Sequence, residues 1–177
     1  MIPALRQQFN ANFTPEKYQT FLRLMEERCG TPVKFQLSET PCFFPKPLLD
    51  QICQYGEELI RQLGGLEYRK ASFEAIPPEF NVPREAPHPM FIQVDFGLVR
   101  DADGKIQPKL VELQGFPSLY AYQAMLSQTY MEVFELDGNL QYLLSGLDWE
   151  GYKKLLRRAI VGDHNPQNVI LMEIDPQ

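Results

Sequence analysis

Phe91-Ile92-Gln93-Val94-Asp95-Phe96-Gly97-Leu98-Val99-Arg100, then Asp101-Ala102-Asp103-Gly104, then Lys109-Leu110-Val111-Glu112-Leu113-Gln114 is the stretch that decides the fold class. Its first run is rich in β-branched and aromatic residues, its middle is a turn signal, and its last run is apolar and extended. Side chains of that kind fit a pleated surface, and an Asp-Gly turn between two such runs predicts a β-hairpin.

Helical patterns flank this hairpin on both sides. Toward the C-terminus, Ser118 is placed to cap a helix that turns Leu119, Tyr122, Met125, Leu126 and Tyr130 inward, and Asp137-Gly138 breaks the chain. Asp148 is placed to cap another helix, with Trp149, Tyr152, Leu155, Leu156 and Ile160 on one face and Gly162 at its end. Val169 to Ile174 reads as a strand. Toward the N-terminus, Thr14-Pro15 is a helix start with a capping hydroxyl and a proline at the first helical position. The face Tyr18, Phe21, Leu22, Met25, Cys29 follows, and Gly30 with Pro32 ends it. Val33, Phe35 and Leu37 alternate as in a short half-buried strand. A second helix begins near Pro45-Lys46-Pro47 and stops at Gly64-Gly65. Between Glu67 and Pro89 the prolines at 77, 78, 83, 87 and 89 predict a connection with one helical turn near Ala71 to Glu74.

These elements make an α+β fold with α/β-like character, in which helices pack on a mixed sheet containing a central hairpin. The expected organisation is a helical and loop region over residues 1–90, the hairpin and its helices over 91–162, and the start of an α/β domain over 163–177. A strand so near the last residue ordinarily leads into a crossover helix, so the chain is expected to be the front section of a longer protein.

Composition narrows the function classes. The 177 residues suffice for one domain or one domain with an appendage, and 44% hydrophobic with 23% charged residues is globular. The formal charge of −6 and the lack of a basic stripe argue against nucleic acid as a partner. Apolar runs fall far short of the roughly 20 residues a membrane helix needs, and Met1-Ile2-Pro3-Ala4-Leu5-Arg6 does not read as a signal sequence. Cys29, Cys42 and Cys53 are odd in number and widely spaced, as in a reduced cytoplasmic protein. His88 and His164 both fall in loops, where solvated side chains are the simpler reading.

The hairpin carries the chemistry. With its turn centred between Asp103 and Gly104, Asp95 faces Glu112 and Gln93 faces Gln114. Opposed residues project to the same side with Cβ atoms about 4.5–5.5 Å apart, and like charges there destabilise the pair. A divalent cation converts that repulsion into binding, because hard cations take carboxylate and amide oxygens. The plainer reading is a wet sheet face, which carries Gln, Asp and Glu routinely. Both depend on a register that a one-residue slip would reverse.

Gln93-Val94-Asp95-Phe96-Gly97-Leu98, a turn, and Pro108-Lys109-Leu110-Val111-Glu112-Leu113-Gln114-Gly115-Phe116-Pro117-Ser118 together resemble the metal-binding hairpin of ATP-grasp enzymes. The order of parts is similar to that of the circularly permuted members, glutathionylspermidine synthase and eukaryotic-type glutathione synthetase. The resemblance covers about 30 of the 177 residues. It implies a partial ATP-grasp-type architecture and Mg²⁺ and ATP as cofactors, with Asp95, Glu112 and Gln114 as metal ligands. Ser118 would approach a small-molecule carboxylate or amine substrate, and Gln93 stands where the family places an arginine that holds an anion. Gln114 replaces the family's asparagine. The implied reaction forms an acyl phosphate that an amine then attacks, with magnesium neutralising the charge that develops on the phosphate oxygens. No Walker loop, GxGxxG or lysine-bearing strand pair is present, so the chain alone is not expected to turn over ATP. Two other readings stay open, a non-catalytic binding module that keeps the hairpin and an unrelated α+β domain.

Overall fold

The computed structural model describes residues 1–84, 86–115 and 118–172. Among them are six α-helices, α1 (Pro3–Asn12), α2 (Pro15–Cys29), α3 (Lys46–Leu63), α4 (Leu66–Ala75), α5 (Tyr120–Val133) and α6 (Trp149–Val161), with strands β1 (Gln93–Arg100) and β2 (Ile106–Gln114). The fold is α+β. Its sheet consists, among the described residues, of β1 and β2 paired antiparallel, so the expected mixed sheet is reduced to the hairpin itself. The chain divides into two compact units, one of residues 1–3 and 42–115, the other of residues 4–41 and 118–172.

The second unit holds most of the buried apolar side chains. α2 starts as its sequence dictates: Thr14 is extended, its hydroxyl accepts from Lys17 N at 3.2 Å, and Pro15 occupies the first turn. It ends on Gly30, whose φ of 69° lies in the left-handed region and whose N–H donates to Glu26 O. Phe21 and Met25 of this helix are buried, and Phe21 packs against Tyr130 of α5 and Phe134 just beyond it. The Phe21 and Tyr130 ring centroids lie 4.3 Å apart, and Phe9 of α1 reaches Phe134 at 4.8 Å. Thr129 is fully buried yet satisfied, since it accepts from Arg28 Nη1 at 2.6 Å and donates to Met125 O at 2.8 Å. Arg28 also pairs with Glu132, so one guanidinium ties the end of α2 to α5.

Several expectations are corrected here. Residues 33–37 form no strand: they pair with no other strand among the described residues, and tyrosine hydroxyls take carbonyls at the segment's end instead. Tyr18 donates to Leu37 O at 2.7 Å and Tyr130 to Ser38 O. Ser118 does not cap α5, whose preceding residue is Leu119 with φ 67° and no side-chain cap. Leu119, expected inward, is about half exposed, as are Leu155 and Ile160 of the apolar face expected on α6. Asp148 does cap α6, accepting from Gly151 N at 2.7 Å. Val169 to Met172 are not in a strand; Glu173 and Ile174 of that expected strand lie outside the described residues.

In the first unit α3 runs as expected, from the proline pair to Gly64. α4 is a full ten-residue helix where one turn was expected. Its apolar residues Leu66, Tyr68 and Phe73 are exposed, so no buried periodicity marks it. No described helix is long and apolar enough to cross a membrane.

Candidate metal centre

The hairpin is built from its turn outward. Gly104 has φ 80°, a conformation that strains residues with a Cβ, and its N–H donates to Asp101 O at 3.0 Å. Asp101 organises the loop: one carboxylate oxygen accepts from Asp103 N at 3.1 Å and from Lys105 N at 2.8 Å, and the other accepts from Gln107 at 3.2 Å. The bond from the Lys105 amide, then that from the Gln107 side chain, holds the Asp101 carboxyl below its usual pKa range.

Beside the turn Arg100 pairs with Ile106, so the turn is centred on Asp103, half a residue from the expected position. The register shifts between Asp95 and Phe96, where Phe96 pairs with Leu110 and Asp95 with Glu112. Val111 is the additional residue, a β-bulge. Its methyl lies where a Cβ on Gly97 would approach to 3.3 Å, so the bulge packs against the one residue of β1 that leaves it room. The bulge offsets the turn, and beyond it the expected pairs appear: Asp95 opposite Glu112, Gln93 opposite Gln114.

These four side chains meet. Gln93 Nε2 donates to Asp95 Oδ1 at 2.9 Å, and Gln114 Nε2 donates to Asp95 Oδ2 at 3.2 Å. Gln114 Nε2 also donates to Glu112 Oε1. A rung of two amides thus lies beside a rung of two carboxylates. Gln93, Asp95 and Gln114 are half-buried, and Glu112 is exposed. No lysine or arginine among the described residues forms a salt bridge with either carboxylate. Two charges about 5 Å apart repel by about 1–3 kcal/mol at effective dielectrics between those of water and a protein surface. The amide hydrogens are the groups that offset this.

The donor set fits a hard divalent cation in kind: two carboxylates on one rung, with amide oxygens adjacent. Turning the Gln114 carboxamide end for end would present its oxygen in place of its NH₂. Among the described residues no group of three or more His, Cys, Asp and Glu is gathered, so any ion here relies on amides and water for its remaining ligands. Ser118, the substrate-side residue implied by the resemblance, belongs to the other unit, and Phe116 and Pro117 lie outside the described residues. Gln114, expected as an oxygen ligand, is a double donor in the structure. The signal was there: a glutamine two residues from each carboxylate on the same strand.

Comparison of the chain with family models, with curated proteins and with solved structures gave no match in any of the three.

Proposed function

We propose that this chain supplies the cation-holding hairpin of an ATP-grasp-like, Mg²⁺-dependent carboxylate–amine ligase working through an acyl phosphate. The observation that supports the reading is the convergence of Asp95, Glu112 and Gln114 on one face, joined by hydrogen bonds. In this reading Asp95 and Glu112 hold the ion and Gln114 turns its oxygen toward it. When bound, Mg²⁺ neutralises phosphate charge as it develops on transfer. The carboxylate rung presents a net negative patch that attracts the ion, and the half-buried position of Asp95 keeps one ligand away from bulk water. The three free thiols, Cys29, Cys42 and Cys53, suit a reducing compartment such as the cytoplasm.

Manganese(II) serves as a paramagnetic stand-in for magnesium. One bound Mn²⁺ per chain is expected by electron paramagnetic resonance, displaced by excess Mg²⁺ and lost in Glu112→Ala and in Asp95→Asn. Binding that survives both substitutions rejects the site. Given ATP and Mg²⁺ but no other protein, the chain is expected to release no phosphate in a steady state, because its sequence holds no glycine-rich phosphate loop. Sustained release that Glu112→Ala abolishes would show that it is a complete catalyst.

A second reading has one observation in its favour. Both glutamine NH₂ groups are turned toward the carboxylates, an arrangement that is stable without an ion and suits a hairpin kept in a non-catalytic binding module.

A further inference from the structure

We infer that the Gln114 carboxamide is a built-in, uncharged substitute for a cation, a positioning residue that lets Asp95 and Glu112 stand opposite each other with no ion present. This concerns the same hairpin as the proposed function but does not rest on that reading, and its test is run without any divalent cation.

Gln93 and Gln114 form one cross-strand pair, and Asp95 and Glu112 form the next pair on the same face. A carboxylate pair in that position is unfavourable unless something positive lies between its members. The usual solution is a lysine or arginine on a neighbouring position, yet no salt bridge to either acid occurs among the described residues. The groups that do lie between them are amide hydrogens. Asp95 has both oxygens occupied, Oδ1 by Gln93 from its own strand and Oδ2 by Gln114 from the opposite one. Gln114 alone reaches both acids, since its Nε2 also donates to Glu112 Oε1. An NH₂ group carries two hydrogens, so one amide can serve two acceptors at once. Bonds to charged acceptors are stronger than neutral ones, and the half-buried setting of Asp95 and Gln114 limits competition from water.

The arrangement also explains why the bulge matters. Were Val111 not accommodated between Leu110 and Glu112, the turn-proximal register would continue and Asp95 would face Val111. Gln114 would then no longer lie one same-face rung from the acid it bridges. The bulge and the amide bridge act as one device, the first aligning the acids and the second making their alignment tolerable.

The role separates from simple packing by its dependence on the second acid. Thermal unfolding of the full chain is followed in EDTA for four proteins: wild type, Gln114→Met, Asp95→Asn, and the double variant. Methionine keeps the length and removes both donors. In the wild-type background Gln114→Met is expected to lower the midpoint by about 3–6 °C, the shift that one or two kcal/mol produces in a chain of this size. In the Asp95→Asn background, where no carboxylate pair remains, the same substitution is expected to lower it by less than half as much. Added salt should shrink the first loss and leave the second unchanged. Equal losses in both backgrounds, or a salt-independent loss, would overturn the inference and leave Gln114 a packing residue. Should a variant fail to fold, the Gln114 side-chain NH₂ of the wild type provides an independent test in EDTA: both of its hydrogens are expected to exchange with water more slowly than those of an exposed glutamine such as Gln7. Exchange as fast as that of Gln7 would contradict the bridge.

Discussion

Gln114 and Val111 show what single residues contribute here. The sequence places two acids opposite each other and two glutamines beside them, and this much is legible from alternation and a turn signal alone. Which atom of each glutamine faces the acids is not, because alternation sets the face a side chain takes and not the rotation of its terminal amide. The expected register is correct for a partly wrong reason. The turn is centred on Asp103, and the pairing of Asp95 with Glu112 is restored by the bulge at Val111. Deleting Val111 removes the extra residue and brings Glu112 directly after Leu110, so Asp95 is expected to stay opposite Glu112 on a regular ladder. Nuclear Overhauser contacts between Gln93 and Gln114 should therefore survive in the deletion variant, and their loss would contradict the assignment of Val111 as the bulged residue. Gly104 offers a simpler check at this scale. With φ at 80°, Gly104→Ala is expected to cost about 1 kcal/mol, measurable in denaturant unfolding.

Elements are legible where their ends carry chemistry. α2 has a capping threonine, a first-turn proline and a terminal glycine, and the structure uses all three. α6 has its capping aspartate. Thr14→Ala and Asp148→Ala are each expected to lose about 1 kcal/mol of stability, seen as a lower denaturant midpoint at unchanged slope. α1 and the full length of α4 escape a reading by pattern because nothing in them alternates between buried and exposed strongly enough: α1 buries Phe9 alone, and α4 buries nothing. The 33–37 segment misleads in the opposite sense. Its alternation in sequence is not carried into burial: Leu37 is buried and Val33 half-buried, whereas Phe35 between them is half exposed. A strand also needs a neighbour to take its backbone hydrogen bonds, and alternation cannot supply one. Here Tyr18 and Tyr130 meet part of that need with their hydroxyls. α5 adds a titration. Burial, then the nearby Cys29, pushes the Tyr122 hydroxyl up to about 12, and burial, then Tyr18 and Tyr122, does the same for Tyr130. In the unfolded chain both ionise near 10. The folded state keeps its protons while the unfolded state releases them, so stability is expected to fall as pH rises from 10 toward 12. Ultraviolet titration should show these two tyrosines ionising last among the eight; a single ionisation step near 10 would contradict it.

Across the whole molecule the two units differ in how much apolar side chain they enclose. Phe9, Phe21, Met25, Leu37, Ala124, Tyr130 and Phe134 are buried in the second unit, whereas Phe43 is the buried hydrophobic side chain of the first among the described residues. Amide hydrogen exchange is expected to be slowest in α2 and α5 and faster in β1 and β2. A Phe21→Ala substitution should destabilise the second unit by about 3–5 kcal/mol. The hairpin thus carries its candidate chemistry on a lightly packed frame, held in register by hydrogen bonds more than by a core. Whether that frame takes an ion is settled by titrating the isotopically labelled chain with magnesium and following its backbone amides. One saturable set of shifts is expected, confined to residues 93–95 and 112–114, together with reversal of the Gln114 side-chain amide. Weak, unsaturable shifts spread over the acidic surface, or none at the hairpin, would contradict binding at the site.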